Sequence, residues 1–344
     1  MKILVTGTEG YIGSILAPIL MRAGHDVTGL DTGFYRDGWL YSSHKDTPIQ
    51  PKMINKDLRH IEAADLEGFD AVVHLAELSN DPLGQNNPEI THKINHLGSV
   101  RIATLCKQLG IERFVYTSSC SVYGAGTGDF LDESSAVNPQ TAYAHCKTNV
   151  EKDVSKLADD NFSPVFLRNA TAYGASPRMR FDIVLNDLSG LAWTEKKIAM
   201  ISDGSPWRPL VHVQDICKAI HCALEAPRQA IHNQIFNVGD NGDNYRVREI
   251  AEIVGSTFPG CEITFGDSSS DNRSYRVNFD KINTQLPGFK CDWNAKLGSE
   301  QLKSVFEQID MSHDTFRAKP FTRLKQLQYL ISTQQIDDEF FWRF

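Results

Sequence analysis

The sequence contains no run of 18 or more consecutive apolar residues, so it predicts no membrane-spanning helix and no membrane partner. Its first residues lack the pattern of a signal peptide, because Met1 and Lys2 lead through a short apolar run directly into glycine-rich sequence. The seven cysteines form no CxxC pair and have no spacing to histidine that is typical of a metal site. We therefore expect a cytoplasmic protein with reduced thiols and no bound metal.

An excess of positive charge is also missing, since 43 acidic residues outnumber 35 basic ones and the formal net charge is −8. Such a balance argues against a nucleic-acid partner, although a local basic pocket can still hold a phosphate. Hydrophobic residues (41%) and charged residues (23%) are present in the proportions of an ordinary globular protein. A chain of 344 residues exceeds a typical single domain, which indicates either two domains or one large domain with an appendage.

Short apolar runs alternate with helical patterns through the first 170 residues. This alternation predicts an α/β fold with a doubly wound parallel sheet of the Rossmann type. The predicted strands cover 3–5, 27–30, 71–75, 114–117 and 165–167, and the predicted helices cover 11–23, 94–109 and 142–157. Beyond residue 170 the alternation weakens. Residues 240–310 show one clear helix at 247–257, and residues 321–344 are typical of a helix with a hydrophobic tip that packs on its own chain.

Three glycines, Gly7, Gly10 and Gly13, form a GxxGxxG turn between the first predicted strand and the first predicted helix. Glycine allows the backbone to turn tightly and to approach a diphosphate, whose charge is stabilised by the free amides of the helix N-terminus. Asp31 follows the second predicted strand, 18 residues after Gly13. A carboxylate there binds ribose hydroxyls and repels a 2′-phosphate, which favours NAD over NADP. Two alternatives stay open: Asp31 is only a turn residue, or Arg36 accommodates NADP.

Tyr143 and Lys147 form a YxxxK pattern at the start of a predicted helix, and this spacing places both side chains on one helix face. A lysine ammonium beside a phenol favours the phenolate and lowers the pKa of the tyrosine, which can then exchange a proton with a substrate hydroxyl near neutral pH. The pattern alone is common, and a surface tyrosine and lysine is the alternative. The hydroxyl-rich segment 116–124 follows a predicted strand, so we expect its side chains at the carboxyl end of the sheet, where ligands bind.

Several motifs occur in a fixed order along residues 1 to about 282. They are the glycine loop at 7–13, Asp57-Leu58, His74-Leu75-Ala76, Asn95 with Gly98, the SSxxVYG-like stretch at 118–124, YxxxK at 143–147 and the RPLVHVQD segment at 208–215. In these residues the chain resembles the extended short-chain dehydrogenase/reductase family, and within it the nucleotide-sugar epimerase/dehydratase branch. The resemblance implies an NAD-binding Rossmann domain and a smaller C-terminal lobe that closes over a nucleoside-diphosphate sugar. It also implies a homodimer that pairs through the helices following Asn95 and Tyr143.

The resemblance carries roles to individual residues. It implies a catalytic set in which Ser119 hydrogen-bonds the reacting sugar oxygen, Tyr143 is the acid and base, and Lys147 holds the nicotinamide ribose. The implied cofactor-binding residues are Gly7, Gly10, Tyr11, Ile12, Gly13, Asp31, Asp57, Leu58, Leu75, Ala76, Asn95, Tyr143 and Lys147. The implied substrate-binding residues are Ser119, Tyr143, Asn186, Arg208 and Arg273, with a surface salt bridge as the alternative for each arginine.

The expected domain boundaries follow from the pattern and the resemblance together. Residues 1–172 are expected to form the NAD-binding domain, which the chain re-enters around 211–240. Residues 173–310 are expected to form mainly the substrate-binding lobe. Residues 311–344 are expected to be a C-terminal helical extension, for which the resemblance implies no function.

The chain departs from the family at positions that decide the reaction. The 4,6-dehydratases of the family carry an Asp-Glu pair after the catalytic hydroxyl residue, where this chain has Cys120 and Ser121, so dehydration is disfavoured. The glucuronate decarboxylases carry a glutamate at the second position and are disfavoured as well. Cys120 directly follows Ser119, and neighbours on a strand face opposite sides, so packing is favoured over a catalytic thiol. Two substrate contacts also differ, since Thr171 and Ser268 stand where family members carry asparagine and arginine.

These observations favour an NAD-dependent epimerase that inverts carbon 4 of a nucleoside-diphosphate sugar through a transient keto-sugar. A nucleotide 4-keto-sugar reductase with exchangeable NADH or NADPH shares every motif and is the first alternative. A non-catalytic NAD-binding regulatory protein is the second alternative. The departures at positions 171 and 268 favour the regulatory protein, and the intact Ser119, Tyr143 and Lys147 oppose it.

Overall fold

Parallel strands form the centre of the computed structural model, which describes residues 1–42, 50–79, 87–126, 129–267 and 274–343. The strands in these ranges are β1 (Lys2–Thr6), β2 (Asp26–Asp31), β3 (Lys52–Asn55), β4 (Ala71–His74), β5 (Arg113–Ser119), β6 (Phe130–Leu131), β7 (Ser163–Asn169), β8 (Thr171–Tyr173), β9 (Lys197–Ala199), β10 (Trp207–His212), β11 (Gln234–Val238), β12 (Asn244–Arg246), β13 (Glu262–Thr264) and β14 (Arg276–Val277). Seven of them pair in parallel in the order β11-β7-β5-β4-β1-β2-β3. This order confirms the predicted doubly wound fold.

Alternate residues along the central strands face opposite sides of this sheet, so each face has its own apolar core. Ile3 packs in the core of one face, whereas Leu4 packs in the core of the other. Because helices cover both faces of the sheet, both sides of each central strand are buried. The strands are therefore continuous apolar runs, which is why the sequence predicts them. The covering helices are Gly13–Arg22 and Val213–Glu225 on the first face, and Ser99–Gln108 and Ala142–Ser155 on the second.

The helix predicted at 94–109 is longer and less regular than expected. It begins as the α-helical turn Pro88–Thr91, widens into the π-helix His92–Gly98, and continues as the α-helix Ser99–Gln108. A π-helical stretch inside an α-helix often marks a functional region. The helix stops as predicted at Gly110, whose φ of +73° is a backbone conformation that glycine adopts without strain.

A second lobe combines short sheets with a helical core. Strands β8, β10 and β12 form one sheet, β9 pairs with β13, and β6 pairs with β14. The expectation of a single helix between residues 240 and 310 is wrong, because Asn294 caps a 14-residue helix that buries Leu302 and Phe306 in this lobe. β11 returns the chain from this lobe to the parallel sheet, where it pairs with β7. The helices of the lobe core are Val184–Thr194, Val247–Thr257 and Ala295–Gln308.

Shorter helices connect these elements. Arg228–Ile231, Asp280–Gln285 and His313–Arg317 are α-helical, and the 3₁₀ turns are Leu58–His60, Ala63–Asp65, Cys120–Tyr123, Asn241–Asp243 and Lys319–Phe321. Across the described ranges, no helix is both long enough and apolar enough to cross a bilayer.

The C-terminal segment, residues 319–343, folds back against the end of the chain's first strands. The expectation of one helix through this segment is wrong, because the helix Arg323–Ser332 ends where Gln334 adopts a φ of +56°. The chain then reverses and packs Phe340 and the partly buried Trp342 into an apolar cluster with residues of the first domain. The hydrophobic tip therefore packs on its own chain, as expected.

Candidate active site

One large cavity opens at the carboxyl ends of the parallel strands, and its volume is about 1070 Å³. Asp31, Leu75, Ser119 and Ala170 line it, and each lies at or just after the end of a different parallel strand. Parallel sheets bind ligands at this edge. The opposite wall comes from the second lobe and includes Thr171, Ile183, Ser202, Pro206, Arg208 and Tyr275. We call these two sides the sheet wall and the second-lobe wall.

The glycine loop shapes one end of the sheet wall. Gly7 adopts a φ of +76°, and a Cβ at this position would lie 2.9 Å from the backbone nitrogen of Ala76. A Cβ on Gly13 would lie only 2.2 Å from the carbonyl oxygen of Gly7. The helix Gly13–Arg22 therefore starts in close contact with the loop, and no side chain at Ile12 caps its first amides. An uncapped helix start on a cavity wall suits an anion such as a diphosphate.

Asp31 is held in place by two backbone amides. Its carboxylate accepts hydrogen bonds from the Glu9 nitrogen at 2.9 Å and from the Gly33 nitrogen at 2.8 Å. Burial raises the pKa of Asp31, while these amides act in the opposite direction. Arg36 instead pairs with the carboxylate of Glu9 at 3.2 Å and donates to Asn55 at 2.7 Å. The arginine proposed as an alternative NADP contact thus has protein partners of its own.

Of two predicted cofactor-binding residues, Asp57 lines the cavity and Asn95 lies behind its wall. Asp57 lines it, but its carboxylate also binds the guanidinium of Arg59 at 2.7 Å. Asn95 is fully buried behind the wall, where its amide group accepts from the nitrogen of Leu78 at 2.8 Å and donates to its oxygen at 3.0 Å. Asn95 therefore holds the loop after β4 in position. Gly7, Gly10, Tyr11, Ile12, Gly13, Asp31, Leu58, Leu75 and Ala76 line the cavity with Asp57.

The predicted catalytic residues meet at this cavity. Tyr143 and Lys147 lie one turn apart on the helix Ala142–Ser155, and the Lys147 Nζ is 5.3 Å from the centre of the Tyr143 ring. Thr141 caps that helix by accepting from the Ala144 nitrogen at 3.2 Å. Ser119 ends β5 and caps the 3₁₀ turn that follows it. Ser119, Tyr143 and Lys147 all line the cavity.

Glu77 is a site residue that the sequence motifs did not indicate. Its Oε2 lies 2.6 Å from the Lys147 Nζ, and the hydroxyl of Tyr116 donates to its Oε1 at 2.6 Å. Burial raises the pKa of Glu77, whereas the Lys147 charge lowers it. Burial alone would lower the pKa of Lys147, but nearby acidic side chains, with Glu77 first among them, together have the larger effect. The pKa of the lysine is therefore raised. The net pKa of Glu77 stays above its usual value, while the ammonium of Lys147 is held charged; the side chains of Lys147 and Glu77 are 4% and 2% exposed.

Cys120 lies behind the cavity wall. It is 1% exposed, and its Sγ donates to the carbonyl oxygen of Arg168 at 3.1 Å. Burial raises the pKa of this thiol well above its usual range, so it is held protonated. Ser121 lines the cavity and offers a hydroxyl but no carboxylate. This placement fits packing for the cysteine.

The substrate residues expected from the sequence are only partly assembled on the second-lobe wall. Arg208 lines the cavity. Asn186 is fully buried, accepts from the Gly174 nitrogen at 2.9 Å and donates to the Tyr11 hydroxyl at 3.2 Å. Arg273 and Ser268 lie outside the described residues.

The sequence motifs did not indicate several other residues that line the cavity. Arg180 and Asp182 form an ion pair at 2.9 Å on its wall, and Thr322, Arg323 and Leu324 also line it.

A group of possible metal ligands lies elsewhere in the fold, although the sequence spacing indicated none. The ligand atoms of His25, His221 and Glu225 are within 4.8 Å of one another. His25 immediately precedes β2, so the group is at the opposite end of the sheet from the cavity. Its His25 Nε2 and Glu225 Oε1 are already paired at 3.2 Å.

Replacing Glu77 by leucine should reveal the cost of leaving Lys147 without its counter-charge. Because the ammonium would stay buried, we expect the free energy of unfolding to fall by about 3–5 kcal/mol. Urea denaturation measures this change. The same substitution at Glu307, whose ion pair with Lys303 is solvent-exposed, should have a far smaller effect. Equal stability of the two variants would contradict the assignment of Glu77 as the counter-ion.

Known proteins share both the sequence pattern and the fold. The profile of the NAD-dependent epimerase/dehydratase family matches residues 3–239. The UDP-glucose 4-epimerase of Corynebacterium glutamicum is 27% identical over 271 residues, which cover 74% of this chain and 79% of that protein. The UDP-glucuronic acid 4-epimerase of Bacillus cereus, solved with UDP-glucuronic acid and NAD, has a TM-score of 0.75 at 22% identity and covers 90% of this chain and 100% of its own.

Dehydratases share the fold as well. The dTDP-glucose 4,6-dehydratase of Streptomyces venezuelae has a TM-score of 0.75 at 21% identity, over 90% of this chain and 97% of that one. Overall shape therefore does not separate the two reactions, and the residues of the cavity must do so. Since the family profile covers more than half of the sequence, the predicted resemblance is confirmed, and the chain belongs to the NAD-dependent epimerase/dehydratase family.

Proposed function

We propose that this protein is an NAD-dependent epimerase that inverts carbon 4 of a nucleoside-diphosphate sugar. The observation that carries the proposal is that Ser119, Tyr143 and Lys147 line the same cavity as the glycine loop. The relative in Corynebacterium glutamicum, named a UDP-glucose 4-epimerase, supports both the reaction and the class of substrate. All seven cysteines are free thiols, which supports action in the cytoplasm, and a nucleotide-sugar substrate supports a role in carbohydrate biosynthesis.

The sheet wall carries residues suited to each part of a bound dinucleotide. The uncapped helix start after the glycine loop would hold the diphosphate, and Asp31 would accept hydrogen bonds from the adenosine ribose. Asp57 and Leu58 would contact the adenine, and Lys147 would hold the nicotinamide ribose. When bound, NAD would supply a reversible hydride acceptor for carbon 4 of the sugar.

Tyr143 would move the proton that accompanies this transfer. Its phenolate would accept the proton of the sugar hydroxyl and later return it, because the Lys147 ammonium beside it favours the ionised phenol. Ser119 would donate a hydrogen bond to the reacting oxygen. Glu77 would keep Lys147 protonated throughout, since burial of the lysine otherwise disfavours its charge.

The residues after Ser119 favour epimerisation over water loss. Dehydration needs an acid and a base next to the catalytic hydroxyl, and positions 120 and 121 carry a buried thiol and a hydroxyl instead.

On the second-lobe wall, Arg208 would bind the sugar diphosphate, because a guanidinium pairs well with two phosphate oxygens. Arg273 is proposed as a further diphosphate contact on sequence grounds alone.

Tyr143→Phe tests the chemistry, because it removes only the phenolic oxygen. We expect turnover of a UDP-sugar to fall by about 10²–10⁴-fold while NAD still binds. Cys120→Ala should keep most of the activity, since the thiol lies behind the wall. In the wild-type reaction no NADH or NADPH should be consumed. An inactive cysteine variant beside a nearly normal tyrosine variant would mean that a thiol drives the reaction, and stoichiometric consumption of reduced cofactor would mean a reductase.

Gly13→Ala tests the cofactor half of the cavity. The added Cβ would meet the Gly7 carbonyl oxygen at 2.2 Å, so the helix start must shift away from the loop. We expect NAD affinity to fall by about 10-fold or more, which corresponds to about 1.4 kcal/mol. Gly242→Ala is the control, because its nearest neighbour is a side-chain atom at 3.3 Å outside the cavity. Calorimetric titration with NAD measures both, and unchanged affinity in Gly13→Ala would refute this role of the loop.

We further propose a homodimer that pairs through the helices following Asn95 and Tyr143. Leu97 (51% exposed) and Leu109 (36% exposed) lie in and directly after the helix that follows Asn95, and they offer apolar surface for this pairing. Leu97→Glu should give a monomer in light scattering at micromolar concentration. Leu297→Glu, which alters a 44% exposed leucine of the second lobe, should remain dimeric. A monomeric wild-type protein would refute the proposal.

A further inference from the structure

The C-terminal segment reaches the cavity, although the family resemblance assigns it no function. Thr322, Arg323 and Leu324 line the cavity together with Asp31 and Tyr35 of the sheet wall. This is the part of the wall that follows β2, where we place the adenosine half of NAD. The segment is therefore a wall of the proposed cofactor site.

Direct hydrogen bonds tie the segment to the loop that follows Asp31. The indole nitrogen of Trp342 donates to the carbonyl oxygen of Thr32 at 2.7 Å, and the Gln326 amide donates to the carbonyl oxygen of Phe34 at 3.0 Å. Both acceptors are backbone atoms of the wall itself. The segment is thus attached to the cofactor loop by specific polar contacts as well as by apolar packing.

A second anchor joins the segment to the loop that follows β3. Arg59, which is paired with Asp57, donates to the Glu339 carbonyl oxygen at 2.7 Å. Its guanidinium carbon lies 3.7 Å from the centre of the Phe341 ring. Asp57 and Leu58 line the cavity here, so a second cofactor loop is braced by the same segment. An apolar cluster of Phe34, Leu58, Leu78, Leu327, Leu330 and Phe340 fills the space between segment and loops.

Arg323 is the charged residue that this segment brings to the cavity. It is 3% exposed and stacks on the Tyr35 ring at 4.0 Å; within the described ranges it donates only to the carbonyl oxygens of Pro320 and Arg178, at the long distances of 3.3 and 3.4 Å. Among the described residues, no carboxylate forms an ion pair with it within 4.0 Å. Burial lowers its pKa to about 10, and its charge lacks the close carboxylate that Lys147, Arg168 and Arg180 each have.

Three other cations with little exposure show the contrast. Lys147 has Glu77 at 2.6 Å, and Arg168 has Glu151 at 2.7 Å. Arg180, also on the cavity wall, has Asp182 at 2.9 Å. A buried guanidinium that faces a cavity without such a partner is suited to an anionic ligand, because a diphosphate offers the oxygens that the protein does not supply.

We propose that the C-terminal segment is part of the cofactor site and that Arg323 binds the diphosphate of the dinucleotide. This inference rests on the proposed placement of NAD, but not on the sugar reaction. It follows that the segment braces the adenosine loops while its arginine neutralises the cofactor, so that NAD is retained between turnovers.

The test is direct binding to the full-length protein freed of cofactor. Arg323→Gln should weaken NAD binding by about 10–100-fold, which is the range for a lost hydrogen bond to a charged group. Lys325→Gln is the matched control, because this exposed lysine lies two residues further along the same helix and should leave binding unchanged. ADP should show the same loss as NAD, whereas adenosine, which has no phosphate, should bind the variant and the wild type equally.

Each other result overturns the proposal. Unchanged NAD affinity in a folded Arg323→Gln variant would make the arginine purely structural, and an equal loss for adenosine would remove the diphosphate assignment. A loss confined to UDP would place the arginine in the substrate site. If Arg323→Gln does not fold, Trp342→Phe replaces it as the test, because it keeps an aromatic side chain and removes the donor to Thr32. That variant should release bound NAD several-fold faster, and an unchanged release rate would refute the bracing role. A wild-type protein that binds no NAD would instead refute the cofactor site itself, whatever its activity towards sugars.

Discussion

Parallel pairing of the seven central strands is the constraint on which the cavity depends. Strands that run in one direction all end at one edge of the sheet, and each needs a helical crossover to return to the other edge. Asp31, Leu75 and Ser119 follow three such strands and therefore meet, although they are far apart in the sequence. The second lobe then needs only to cover this edge to make an enclosed site. Its strand β8 begins two residues after β7 ends, so the covering wall starts directly from the sheet.

Compensation of buried charge organises the interior of the site. Lys147 is held charged by Glu77, and Arg168 is held by Glu151 beneath the same wall. The pairing leaves Tyr143 with a fixed cationic neighbour that cannot easily move or lose its proton. Arg323 departs from this rule, because among the described residues its guanidinium contacts carbonyl oxygens and an aromatic ring and forms no ion pair within 4.0 Å. The departure lies on the part of the cavity wall that Asp31 and Tyr35 also line.

Several residues that resemble binding groups act from behind the wall. Asn95 uses its amide group on the backbone of Leu78, and Asn186 uses its amide on Gly174 and Tyr11. Both are fully buried, so their effect on a ligand passes through the loops that they hold. A sequence motif records that a residue is needed at a site, but it does not distinguish a side chain that contacts the ligand from one that positions the wall.

The sequence by itself determined the parallel sheet and the glycine loop, because these depend on local periodicity and short fixed spacings, and its resemblance to a known family pointed to Ser119, Tyr143 and Lys147. It did not reveal the helix Ala295–Gln308 or the turn at Gln334, since both are decided by packing against distant residues. Only the tertiary structure brought Glu77 to Lys147 and Arg323 to the loop after β2. Those contacts join residues separated by 70 positions or by nearly the whole chain. They arise because buried charges and apolar side chains pack against whichever residues the fold brings close, however far apart these are in the sequence.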